Sequence, residues 1–210
     1  LIDSEKPGSG TSFGNAGTIA EYAVLPVGSP EIIRKLPSLL FNQNSPIAIK
    51  RSAILSLCPW LIRFLYQSMP KNAARNAQAI ANLLQNSRYR WEELSSQIGG
   101  KSILKTNGSI YLYQSKELFD SGLQDMNKRK KLGLNAEMLN LDELKKLEPN
   151  LNLSVGGASY FPECAYMNDP GKMLNLLLDS SINKGCQIVK QSATRIVRIS
   201  EGIKVHLDNQ

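Results

Sequence analysis

A mixed α/β fold with a nucleotide-site layout at its start is what this sequence predicts, on three observations. Leu1-Ile2-Asp3 runs straight into a loop of small polar residues and glycines that ends at Gly17. Apolar residues at alternating spacings of four and three, interrupted only by Ser87, run from Ala73 to Ile98, the mark of an amphipathic helix. Short segments rich in β-branched and aromatic residues, at Ser109–Tyr113, Thr194–Ile199 and Ile203–Leu207, have the composition and period of strands.

Two apolar residues ending in an acid read as the tail of a buried parallel strand, and the glycine-rich run after them as a turn feeding a helix. A carboxylate at the carboxyl end of such a strand can accept hydrogen bonds from both hydroxyls of a ribose. Thr11, Ser12 and the amides that follow form a helix start suited to a pyrophosphate, and glycines let that backbone come close.

From Thr18 to Pro70 the chain is punctuated by prolines at 26, 30, 37, 46, 59 and 70, so only short helices fit. Two are expected: Ser29–Leu40, capped by Ser29 with Pro30 in its first turn, and Cys58–Met69, opened by Pro59. The apolar segment Ala53–Tyr66 reads as a buried helix, with a seat at a membrane interface as the alternative, since Lys50 and Arg51 flank it. A long amphipathic helix follows over Asn72–Ile98, stopped by Gly99-Gly100. Beyond the strand at Ser109–Tyr113, Lys116–Leu132 is helical and Leu139–Pro149 is a short capped helix stopped by proline. Asp169-Pro170 then caps and opens a helix that ends near Gly185, and the last two alternating segments pair as a hairpin around Glu201-Gly202.

Composition narrows the function classes. A chain of 210 residues with 42% hydrophobic and 20% charged residues has the makeup of a globular protein, and no apolar run is long enough to span a bilayer. The net charge of +7 suits an anionic cofactor or acidic lipid. Nucleic acid is discounted: basic residues are scattered, and the dense run Lys128–Lys131 reads as a solvated helix end before Gly133. Cys58, Cys164 and Cys186 are odd in number and widely spaced, which favours reduced thiols in a cytoplasmic setting over disulfides or zinc. His206 reads as a strand surface residue, and Asp169 as a helix cap in preference to a catalytic acid.

Leu1-Ile2-Asp3, its loop and Thr11-Ser-Phe-Gly-Asn-Ala-Gly17 resemble the second strand and following helix of FAD-dependent amine oxidoreductases of the D-amino-acid oxidase group, the small subunits of D-amino-acid dehydrogenases among them. Gly108–Tyr113, Leu144–Pro149 and Gly156–Pro162 resemble that family's substrate-domain segments, in the same order. The resemblance implies an incomplete FAD-binding Rossmann-like domain, residues 1–28 and 169–210, with an antiparallel-sheet-plus-helix substrate domain inserted over 29–168. It places Asp3, with Ser4 beside it, at the adenosine ribose, Thr11 and Ser12 at the pyrophosphate, and Asn15, Ala16, Gly17 and Thr18 toward the flavin. Thr194 takes the position of a residue, commonly Val, whose backbone meets the adenine.

The resemblance further implies that the G-x-G-x-x-G fingerprint belongs to roughly thirty residues before Leu1. The chain is therefore expected to be an internal fragment that binds FAD poorly by itself. The implied activity is oxidation of an amino acid to an imine that hydrolyses to a 2-oxo acid and ammonia, with electrons passing to a respiratory acceptor at the membrane. A glycine or sarcosine oxidase using oxygen, and a non-catalytic binding protein of the same fold, are the alternatives. The arginine that holds the substrate carboxylate is expected beyond Gln210, so no catalytic residue is assigned, and no metal site is expected.

Overall fold

The structure, a computed structural model, describes residues 1–34, 54–151 and 155–208. It divides into two compact units: residues 1–19, 88–107 and 164–210, and residues 20–87 and 108–163. The chain thus passes between them at 19/20, 87/88, 107/108 and 163/164, where the resemblance implies boundaries at 28/29 and 168/169.

In the first unit, β1 (Thr18–Ile19), β6 (Ala165–Met167) and β2 (Leu104–Lys105) form an antiparallel sheet with β6 in the middle. Ala165 is fully buried, and the Cys164 thiol lies 3.6 Å from the Ile19 carbonyl. Helix α6 (Pro170–Asn183) starts as expected: the Asp169 side chain accepts from the Lys172 amide at 2.8 Å and Pro170 takes the first position. It seats the buried Met173 beside Gly100, where a β-carbon would come within 3.0 Å of the sulfur. The chain ends in the expected hairpin of β7 (Ala193–Ile199) and β8 (Gly202–Leu207).

The second unit is a helix–sheet–helix arrangement. Its antiparallel sheet has the order β3 (Ser109–Tyr113), β5 (Gly157–Phe161), β4 (Glu137–Leu139). On one face Leu139 and Ala158 pack with Leu144 of α5 (Leu141–Leu147), supported by Ile110 and Tyr160. A capping box starts α5: Asn140 accepts from the Asp142 and Glu143 amides, and the Glu143 carboxylate accepts from the Asn140 amide at 2.8 Å. On the other face α4 (Lys116–Lys131) sets Phe119 edge-on to Tyr113 and Arg129 over the Phe161 ring. Tyr22 completes this layer, stacked 4.3 Å from Phe161 with its hydroxyl 2.7 Å from that of Tyr111.

Four helical expectations need correction. The stretch expected as one helix over Asn72–Ile98 is two, α2 (Pro70–Leu84) and α3 (Ser87–Gln97). Asn86 is left-handed at φ 65° and the Ser87 hydroxyl donates to the Leu84 carbonyl, so the hydrogen-bond ladder stops at Ser87, the one polar residue that interrupts the apolar spacing. Helix α1 spans Ile54–Gln67, so Pro59 lies inside it and does not open it. A proline there removes one amide donor, and the apolar residues before it still favour continuing the helix upstream.

Helix α1 is also not the buried helix expected: Trp60, Ile62 and Tyr66 are all more than half exposed. Among the described residues its Phe64 side faces Gly28, which lies against Phe64 and Ser68. Of the helix expected at Ser29–Leu40, residues 30–34 are helical and the rest lies outside the described residues. The fourth correction concerns the loop before Gly17.

Candidate functional site

The candidate site is built on the loop that leaves the first strand. Ile2 pairs in parallel with Val189: the Val189 amide donates to the Leu1 carbonyl at 2.8 Å and the Asp3 amide to the Val189 carbonyl at 3.1 Å. The family resemblance implies a parallel strand at Gln187–Lys190; the structure has the parallel direction, but as an isolated bridge with no strand formed at Leu1–Asp3 or Gln187–Lys190. The first segment is not buried either: Leu1 is 56% and Ile2 40% exposed. Val189 is the one pairing partner of Ile2 among the described residues.

Asp3 stands at the carboxyl end of that pairing with its side chain exposed. One carboxylate oxygen accepts from the Glu5 amide at 3.0 Å, which turns the chain sharply and fixes the carboxylate at the strand end. Ser4 lies in the bend that follows. The loop is then tied to itself: the Ser9 amide and hydroxyl both donate to the Lys6 carbonyl, and the Phe13 amide donates to Gly10.

No helix follows Thr11 and Ser12, contrary to expectation; Thr11–Gly14 is a turn. The Asn15 side chain donates to the Ser12 carbonyl at 2.9 Å and accepts from the Gly17 amide at 2.7 Å. Those bonds offer the backbone an alternative to the helical ladder, and Gly14 and Gly17 take positive φ values of 71° and 66° that no right-handed helix contains. A single turn can present the Thr11 and Ser12 hydroxyls without a helix behind it.

Beyond the turn the chain is pinned to the sheet. Gly17 accepts from the Met167 amide at 2.8 Å, and Thr18 opens β1 opposite Tyr166. A β-carbon on Gly17 would lie 2.4 Å from the Met167 carbonyl oxygen. Thr194 lies at the register shift between Ala193 and Arg195, and its hydroxyl donates to the His206 carbonyl at 3.1 Å. A bulged residue leaves the ladder and turns its main-chain groups outward, which suits a position expected to act through its backbone.

The donor set has the chemistry a dinucleotide requires: an exposed carboxylate to accept from a diol, two hydroxyls in a turn for phosphate oxygens, and small residues along Asn15–Thr18 that permit close approach. No group of acidic, cysteine or histidine side chains suited to a metal occurs among the described residues. Sequence reasoning missed the Asn15 turn, signalled only by Asn two residues before Gly. It also missed the cluster of Tyr22, Tyr111, Phe161 and Arg129, because 89 residues separate the two tyrosines and no local pattern links them.

Against known families, residues 1–209 match the sequence description "DAO: FAD dependent oxidoreductase". The chain belongs to that family. A D-amino-acid oxidase of Bradyrhizobium diazoefficiens is 29% identical over 92% of this chain and 47% of its own length. A D-amino acid dehydrogenase of Ralstonia nicotianae is 29% identical over 75% of this chain and 38% of its own. The chain therefore spans less than half the length of these curated relatives. Among solved structures, glycine oxidase from Geobacillus kaustophilus superposes over 99% of the chain and 44% of its own, with a TM-score of 0.60 at 19% identity, a likeness of fold.

Proposed function

We propose that the protein containing this chain oxidises D-amino acids to 2-oxo acids and ammonia, and that residues 1–18 form part of its FAD site. Asp3, with Ser4 beside it, holds the adenosine ribose; Thr11 and Ser12 bind the pyrophosphate; Asn15, Ala16, Gly17 and Thr18 carry the backbone past the flavin side; Thr194 meets the adenine through its main chain. FAD, when bound, accepts the two electrons removed from the amine-bearing carbon. These residues contribute binding and orientation and move no proton. Residues 1–28 and 169–210 belong to the FAD-binding domain, and 29–168 to the substrate domain.

The observation that carries this reading is the exposed Asp3 carboxylate held by the Glu5 amide at the end of a parallel pairing, in a chain whose family is FAD-dependent. The names of the two curated relatives support D-amino acids as substrates. For the electron acceptor we favour a respiratory carrier at the membrane. Oxygen is the second reading, supported by the D-amino-acid oxidase that matches 92% of the chain.

The test is an anaerobic visible spectrum of the protein at its relatives' full length, before and after adding D-alanine, D-proline, glycine or sarcosine. Bleaching of the flavin band by the D-amino acids is expected, and bleaching only by glycine or sarcosine would overturn the substrate assignment. Steady peroxide formation in air would transfer the acceptor assignment to oxygen. A preparation without any flavin band would mark a non-catalytic binding protein.

A further inference from the structure

Helix α1 combines an apolar outer face with an unusual charge environment. Between Glu31 and Glu92 the sequence contains nine Lys and Arg residues and no acid, more positive charge than the +7 of the whole chain. Within the second unit Arg63, Lys71 and Arg75 of this stretch are exposed, and none forms an ion pair among the described residues. Ile62 and Tyr66, one turn apart, are 64% and 57% exposed with Arg63 between them, while Trp60 at 58% stacks flat on Phe64. Phe64 and the fully buried Ser68 face Gly28, which turns Ile62, Arg63 and Tyr66 outward.

We propose that this face of α1 lies on an anionic lipid surface. Apolar and aromatic side chains with interspersed cations, in a stretch of sequence without acids, are what an acidic headgroup layer selects. At 14 residues the helix is about 21 Å long, too short to cross a hydrocarbon core of about 30 Å, so it lies in the interface plane. Ile62 and Tyr66 enter the acyl boundary, Trp60 sits at headgroup depth, and Arg63, Lys71 and Arg75 meet the phosphates. The proposal rests on this surface and stands apart from the substrate and acceptor assignments.

The test is co-sedimentation of the 210-residue chain with vesicles of phosphatidylcholine alone or mixed with phosphatidylglycerol. Binding is expected only with the anionic lipid and is released by high salt. Arg63→Glu weakens it about tenfold, and the double change Ile62→Ser with Tyr66→Ser weakens it by at least as much. Ile196→Ser, on the exposed hairpin, leaves binding unchanged, and circular dichroism verifies that each variant keeps its helix content. In a Trp91→Phe background, emission from Trp60 moves to the blue on anionic vesicles. Equal binding to neutral vesicles, no binding at all, or unchanged binding by both α1 variants would overturn the proposal. So would self-association through Ile62 and Tyr66 without vesicle binding.

Discussion

Replacing Gly17 with alanine destabilises the first unit by about 2–3 kcal/mol. Its φ of 66° is left-handed, a conformation that costs an L-residue about 1–2 kcal/mol. The added methyl would stand 2.4 Å from the Met167 carbonyl oxygen, a backbone atom that cannot swing aside as a side-chain end could. Relief requires the strands to part and lengthens the 2.8 Å bond from the Met167 amide to the Gly17 carbonyl, which costs about 1 kcal/mol more. Gly10→Ala is the matched control in the same loop, since nothing lies within 4 Å of its β-carbon position and its φ is not positive. Urea melts of the two variants should differ by about 2 kcal/mol in unfolding free energy, or on the order of 10 °C in Tm. Equal stability of Gly17→Ala and Gly10→Ala would refute the idea that backbone contact with β6 fixes this loop.

Two further outcomes follow from local chemistry. Asn140→Ala removes the acceptor of the α5 capping box and should cost about 1 kcal/mol, read by thermal melting, with Glu143→Ala costing less because one amide loses its partner. The exposed Lys128–Glu31 pair at 3.3 Å gives a small pH dependence. Glu31 is held below its usual 4.5 by its own backbone amide first, then by Ser29 and Lys128, so its contribution is present above that value and lost as pH falls through the lowered one. Lys128 is raised above 10.5, by its hydrogen bond to Asp125 first and Glu31 later, so its contribution is present below 10.5 and lost at higher pH. The stability difference between wild type and Glu31→Gln should be at most about 0.5 kcal/mol near neutrality and vanish in acid. A difference that grew below pH 4 would contradict the sign.

Much of the architecture was legible because it is locally encoded. Asp169-Pro170, Asn140 with Glu143, and Ser115 before Lys116 announce helix starts through side chains that satisfy amides a few residues on. The strand at Ser109–Tyr113 shows in its β-branched and aromatic composition. What escaped depends on single-residue conformations or on remote partners. Asn86 ends a helix by taking a positive φ, and the only trace of it in the apolar stripe is the polar Ser87, too slight a gap to register as a break. The turn at Thr11–Gly14 has the composition of a helix start, and the Asn15 side chain decides otherwise. Helix α1 has core-like composition, yet Trp60, Ile62 and Tyr66 are more than half exposed, so apolar content overstated its burial. The aromatic layer around Tyr22 depends on strand pairing that no local stretch records.

We propose that Asp3 and its loop hold the adenosine end of FAD. This is tested most directly by titrating FAD into the protein at its relatives' full length, as wild type, Asp3→Glu and Asp3→Ala. The account predicts that Asp3→Ala binds roughly 10- to 100-fold more weakly, the loss of charge-assisted bonds to two hydroxyls, while Asp3→Glu retains most of the affinity. FAD affinity equal in all three proteins would contradict it.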